Sequence, residues 1–414
     1  MGLRTALLAG AFLMPAAANA TVYYVSAATG RDHNNGTSPS APLATIQAAA
    51  DKTNPGDIVQ IMDGRYTSAH WTVVAITRSG ADGLPITYMP YLGHHPIIDS
   101  TGTWSGFTIL GASYITVQGL EFVGNTQNLR LEYAQSQKDN TNNPTTSGGG
   151  IDVKQSESGA HPLHIVIQNN LVHDVPGAGI AATNADYVSI LNNTVYNCAW
   201  YAPFAESGIT VGKGYNSDAD TGYKMIITGN RTYNNQNRIP WHVKGKITDG
   251  NGIIIDSDND TGYAGRTLVA NNVSYKNGGT GMHAINSSHV DFLFNTAYGN
   301  NTTPTLNEGQ IGGQGNSTDV FIENNILVAP SGKVVNEKSP AGVTYDYNLY
   351  FGGTGPRVIG PHDLQADPKF TNQEAADFTL QAGSPAIHAA NPAYKIATDV
   401  QGALLAVRPF VVRP

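Results

Sequence analysis

Six short stretches of this chain begin with glycine and then alternate: Gly106-Phe-Thr-Ile-Leu, Gly150-Ile-Asp-Val-Lys, Gly179-Ile-Ala-Ala-Thr, Gly208-Ile-Thr-Val-Gly, Gly252-Ile-Ile-Ile-Asp and Gly281-Met-His-Ala-Ile. A period of two is that of a strand with one buried face. The glycines lie 44, 29, 29, 44 and 29 residues apart. A second series, apolar then asparagine, follows the last five: Ile167-Gln-Asn-Asn170, Leu191-Asn-Asn193, Thr228-Gly-Asn230, Ala270-Asn-Asn272 and Phe294-Asn295, continued by Asn324-Asn325. Two strand types in constant order and near-constant period predict coils stacked along an axis. Each coil buries its apolar side only against its neighbours. The expected fold is all-β, a right-handed parallel β-helix.

The asparagines have a physical reason to recur. A side-chain amide inside a turn can bond the same groups one turn above and below, and Asn tolerates the left-handed backbone of sharp corners. Near the start, Pro42-Leu-Ala-Thr-Ile46 and Ala48–Ala50 predict a short amphipathic helix that caps the first coil and protects its open edge. Asp367-Pro368-Lys369-Phe370, Phe378-Thr-Leu-Gln and Gly383-Ser384-Pro385-Ala386-Ile387 are expected to close the other end.

Composition changes the picture in three ways. Residues 1–20 carry Arg4, an apolar run and a terminal Ala18-Asn19-Ala20, the layout of a cleaved signal peptide. Residues 21–414 are then a single exported β-helix domain with no membrane span, and a monomer is expected. The lone Cys198 excludes an internal disulfide and is expected as a small core filler. The net charge of −8 argues against nucleic acid as a partner.

Alternation also assigns faces. Ile151, Val153, Ile209, Val211, Ile253 and Ile255 should point inward. Asp152, Ala181, Thr210, Ile254 and His283 form one outward column. Lys154, Thr183, Gly212, Asp256 and Ile285 form the next. At ~4.8 Å per coil, Asp152 and His283 are about 19 Å apart, whereas Asp256 and His283 are on adjacent coils and can converge. The 44-residue gaps hold insertions at about 125–149 and 234–250, expected as two walls flanking a low floor. Such a groove suits an extended sugar chain, with Asp152 and Lys154 on its floor. Trp200, Tyr201, Phe204 and Trp241 could supply stacking faces or merely pack the loop bases.

The densest polar segment runs from Trp241 through His242, Lys244, Lys246 and Asp249, then Asp256, Asp258 and Asp260. Alternate carboxylates suit a hard cation such as Ca²⁺, with Asp249, Asp256, Asp258 and Asp260 as candidate ligands. The parts fit β-elimination on a uronic-acid polysaccharide. His283 would be the base, and Lys246, His242 and Arg266 would neutralise the carboxylate or protonate the leaving oxygen. A glycoside hydrolase, using Asp256 with Asp249 or Asp258, remains open, as do a uronate epimerase and a noncatalytic glycan-binding protein.

The opening Tyr24-Val25-Ser26, Asn35-Gly36-Thr37 and Gly56-Asp57, and the closing Asp367-Pro368 and Gly383-Ser384-Pro385-Ala386-Ile387, resemble the end modules of secreted pectate-lyase-like β-helix proteins. The layout is most similar to family-nine pectate lyases, in which a Gly-aromatic-Lys strand supplies the base beside calcium-binding aspartates. Here Gly281-Met282-His283 takes that place. Ile254 stands where the preceding coil would carry an aspartate. The resemblance implies a polysaccharide partner and an extracellular or periplasmic location.

Overall fold

The computed structural model describes residues 20–336 and 339–393. The leader expected over residues 1–20 lies outside them, apart from Ala20. The chain winds through three parallel sheets, one of eight strands and two of eleven. Sheet 1 holds the glycine-led strands: Val74–Ile76, Ser105–Leu110, Gly149–Lys154, Ile180–Thr183, Ile209–Gly212, Ile253–Asp256, Met282–Ile285 and Ile311–Gln314. Sheet 2 runs from Val22–Val25 to Val343–Asp346, and sheet 3 from Arg65–Tyr66 to Leu364–Gln365. Each coil visits sheets 1, 2 and 3 in that order. This is the expected parallel β-helix.

The alternation faces the way its period required. Ile151, Ile209, Ile253 and Ile255 are wholly buried, and Val153 and Val211 are 1% exposed. They join one continuous core with Phe107, Ile165, Val188, Phe292 and their equivalents. The leading glycines are fixed by closeness. A Cβ on Gly252 would lie 2.0 Å from Ser274 Oγ and 2.5 Å from the Gly281 carbonyl. Cys198 is buried in the same core, where burial pushes its thiol pKa far above the ordinary value.

The asparagine series occupies the corner between sheets 2 and 3 and does two jobs. Asn169, Asn192, Asn271 and Asn324 take positive φ, as does Gly229 in the same place, and turn the chain. The next residue of each pair points inward. Asn170, Asn193, Asn230, Asn272, Asn295, Asn325 and Asn348 form a ladder in which each amide donates to the next side-chain oxygen at 3.0 Å. A shorter ladder of Asn235, Asn277 and Asn300 runs along the corner leading into sheet 1.

The capping helix is Ile46–Ala50, with Thr45 accepting from the Ala48 N–H as its N-cap. It protects the edge of sheet 1 through Gln47. That side chain accepts from the Ala75 N–H (2.7 Å) and donates to the Ala75 carbonyl (3.1 Å), replacing the missing neighbour strand. The C-terminal segment differs from expectation. Phe370–Asn372 and Asp377–Leu380 pair as a hairpin whose Phe378 ring lies 5.4 Å from Tyr275 and 5.2 Å from Tyr298 on the flank of sheet 3. Outward aromatics stacked at the coil spacing give it an apolar strip to cover, so it packs on a side instead of closing the end.

Candidate functional site

Sheet 1 registers both outward columns as the alternation predicts. Asp152 pairs with Ala181, Ala181 with Thr210, Thr210 with Ile254, and Ile254 with His283. Gly212 pairs with Asp256 and Asp256 with Ile285 in the second column. The two insertions, however, do not stand apart. Ala134 of the first, Ile239 of the second and Tyr201 of the coil between them share one buried apolar cluster, with Leu129, Leu131 and Trp200 against it. Tyr201 Oη donates to the Leu129 carbonyl (3.2 Å), and Trp200 Nε1 donates to the Asn234 carbonyl (2.8 Å). The expected pair of walls is therefore a single rim along one edge of sheet 1, and the groove beside it runs along the helix axis. Both insertions leave from the same corner three coils apart, and Tyr201 of an intervening coil bridges their apolar residues.

Three aromatic candidates belong to that rim. Tyr201 is buried, and Trp200 is covered by the Arg238 guanidinium 3.6 Å from its ring centroid. Trp241 carries Lys244 Nζ at 4.8 Å above its ring. Tyr201 and Trp200 pack the base of the rim. His242 is exposed, its ring edge-on to Phe204 at 5.6 Å. Trp71 was not singled out from the sequence. It is 44% exposed at the N-terminal end of the groove, with Lys154 Nζ 5.4 Å from its ring centroid. Lys154 also reaches Asp152 at 3.4 Å.

At the other end of the column sits His283. It points outward from its strand yet is only 3% exposed, and its Nδ1 has no hydrogen-bond partner. Burial lowers its pKa below the ordinary histidine value, against the pull of the Asp249 and Asp256 carboxylates. Burial pushes Asp249 up to about 6, while Thr248 Oγ1 donates to it (2.6 Å) and opposes the rise. Glu308 is raised by burial too, and accepts from Thr280 Oγ1 at 3.0 Å, at the entry of the coil that carries His283. A third loop, between Thr296–Tyr298 and Ile311–Gln314, brings Thr305, Leu306, Asn307 and Glu308 opposite Lys246, Ile247 and Thr248. The cleft between them has a volume of about 530 Å³. Lys246 is exposed on its lip.

Other sequence candidates lie elsewhere. Arg266 is on sheet 2, paired with Asp291 and Asp319 at 2.7 Å each. It is a structural ion pair away from the groove, because a strand after the next corner belongs to the next sheet. Among the described residues, no three His, Cys, Asp or Glu side chains are gathered to hold a metal ion. Asp249 precedes Ile253–Asp256 at the rim, while Asp258 and Asp260 follow it in the opposite corner. Asp258 is turned inward, accepts from the Gly214 N–H at 2.8 Å, and is pushed up to about 7 by burial. Asp260 is exposed, and Asp256 Oδ1 accepts from Ser257 Oγ. The four aspartates do not converge on a point, so they do not fit a shared calcium ion.

Glu206 and Glu308 are the acidic groups that sequence reasoning missed. Each lies within four residues before a sheet 1 strand, as Asp249 does, and that shared offset is a signal in the sequence. Glu206 Oε2 is buried without a partner, and burial together with the nearby Asp152 carboxylate pushes its pKa up to about 8.

Residues 23–316 match the family model described as "Pel9A-like, right handed beta helix region". No curated relative matches the chain. Among solved structures the chain is similar to pectate lyase Pel9A, with 17% identity, 94% of this chain and 88% of that one covered, and a TM-score of 0.51. It is also similar to a rhamnogalacturonan lyase (15% identity, 94% and 95% covered, TM-score 0.48) and to the GH136 lacto-N-biosidase of Eubacterium ramulus (15%, 84% and 67%, 0.47). At these identities the likeness speaks for fold alone.

Proposed function

The chain belongs to the Pel9A-like right-handed β-helix family, and from that premise we propose that it is an exported polysaccharide lyase using His283 as the base of a β-elimination. The observation that carries this reading is the unpartnered Nδ1 of a buried imidazole, on the outward column of sheet 1, flanked by Asp249 and Asp256. A lowered pKa keeps the ring neutral near pH 7, the form able to take a proton. Taking the C5 proton of a uronate turns His283 into a cation, which the two carboxylates stabilise. The C5 electron pair forms the C4–C5 double bond, the C4–O bond breaks, and the leaving oxygen takes a proton from solvent or a nearby acid. Lys246 on the cleft lip supplies the charge that neutralises the uronate carboxylate. The leader in residues 1–20 would place the enzyme outside the cytoplasm, where such polymers are found.

The test is ultraviolet absorbance of the unsaturated uronate end across a panel of acidic polysaccharides. His283→Ala should lower the rate on the active polymer ~10²–10⁴-fold, the usual cost of losing a general base, with binding retained. A variant that keeps most of the rate overturns the assignment. New reducing ends without the chromophore would point instead to hydrolysis.

A further inference from the structure

One corner of the β-helix changes character along the axis. Where sheet 3 hands the chain to sheet 1, the register stacks Asp174, Asn197, Asn234, Lys276, Gly299 and Ala329. The first three form an outward ladder: Asn197 Nδ2 donates to Asp174 Oδ1 (2.9 Å), and Asn234 Nδ2 to Asn197 Oδ1 (2.8 Å). Lys276 and Gly299 then break it. Gly299 has positive φ, and a Cβ there would meet only Lys276 Cγ, at 4.0 Å, so this part of the corner is open. The result is a cavity of about 450 Å³, within the roughly 300–1,000 Å³ of small-ligand clefts. Lys276, Asn234, Gln236 and Thr302 are its polar lining, and the Tyr298 ring, Val328 and Pro330 its apolar lining. It lies at the foot of the rim, where Trp200 Nε1 donates to the Asn234 carbonyl. It shares no lining residue with the cleft at Lys246.

We propose that this cavity is a second carbohydrate site, which holds a hexuronate residue of the polymer outside the groove. The inference takes from the lyase reading the acidic character of the polymer, and adds a place where it is anchored. Lys276 is exposed, and among the described residues it forms no ion pair. It takes left-handed backbone (φ 53°), where the aligned Asn197 and Asn234 are of the type that tolerates it. A long cationic side chain therefore stands against conformational preference, in a chain of net charge −8. Its ammonium can hold a sugar carboxylate through charge-assisted hydrogen bonds. A neutral sugar would leave that charge unanswered. Asn234, with Nδ2 committed to Asn197, offers Oδ1 as an acceptor. Gln236, whose Oε1 accepts from Arg238 Nε (3.4 Å), offers its amide N–H groups. Donor and acceptor side by side suit sugar hydroxyls, and the Tyr298 ring with Val328 gives a face for the ring carbons.

The experiment is isothermal titration calorimetry at pH 7 with D-galacturonate and D-glucuronate as probes, and D-galactose and D-glucose as their neutral counterparts. A Lys246→Ala background removes the cation of the groove. In that background at least one uronate should bind more tightly than its neutral counterpart. Lys276→Asn, the residue already present at the two preceding coils, should lower its affinity at least about 10-fold, the worth of one charge-assisted hydrogen bond. Gly299→Asn also suits positive φ and puts a side chain into the cavity, so it should lower the affinity as well. Each variant checks the other against misfolding. Uronate affinity unchanged by both substitutions, or no preference for either uronate before them, overturns the site. Failure of the lyase reading shows separately, as the absence of unsaturated ends from any polymer with the wild-type enzyme.

Discussion

Replacing Asn230 with alanine should cost the fold about 4 kcal/mol, and the number follows from the ladder. Asn230 is wholly buried, in the corner between sheets 2 and 3. Its Oδ1 accepts from the Asn193 N–H (2.9 Å) and from Asn193 Nδ2 (3.0 Å). Its Nδ2 donates to the Ile190 carbonyl (2.8 Å) and to Asn272 Oδ1 (3.0 Å). Alanine keeps the backbone but strands two N–H donors of Asn193 and takes a donor from Ile190, in a place with no access for water. At about 1–3 kcal/mol per unpaired buried group, allowing for coupling within one network, the sum is about 4 kcal/mol. Asn230→Asp tests the mechanism further. It has the same shape and keeps the acceptors for Asn193, but turns an oxygen toward Ile190 and Asn272 Oδ1, so it should be no better than alanine. The assay is urea unfolding followed by circular dichroism, with the slope required to stay constant so that a shifted midpoint reports stability. Asn140→Ala, exposed in the first insertion, is the control and should change stability by less than ~0.5 kcal/mol. A loss below about 1 kcal/mol for Asn230→Ala would refute the claim that the ladder holds the corner.

Two further outcomes follow. Arg266→Gln should destabilise the protein by about 3 kcal/mol, because it leaves Asp291, 4% exposed, without its cation, yet the folded fraction should keep its catalytic rate; a rate loss at unchanged stability would return Arg266 to the site. The folded state holds a proton on Glu206 that the unfolded chain has released between the ordinary pKa of 4.5 and about 8, so stability conferred by the neutral form falls as pH rises through that window. Glu206→Gln, which cannot ionise, should flatten that fall when urea midpoints at pH 5 and pH 8 are compared, and an identical pH dependence in both proteins would show that Glu206 titrates alike in the folded and unfolded chain.

Much of the architecture was legible along the chain. A strand face depends on alternate residues, a corner on the one residue that tolerates positive φ, and a ladder on an amide repeated at the same corner; all three are local and repeat with the coil. This is why Ile253 and Ile255 face inward, why Asn192 turns the chain while Asn193 points into it, and why His283 and Asp152 share a column. The same logic placed Asp256 beside His283. What the repeat does not encode is how long loops meet. That Tyr201 joins Ala134 to Ile239, turning two walls into one rim and the groove parallel to the axis, depends on contacts between segments about 40–110 residues apart. So does the burial of an outward histidine, 3% exposed although its strand turns it away from the core. Arg266 and Asp258 were misplaced for a related reason: a charged residue just past a corner is near the site in sequence, but the corner turns it onto another sheet or into the core. Period and alternation determine which way a side chain points, whereas what lies over it is decided only when the coils are stacked.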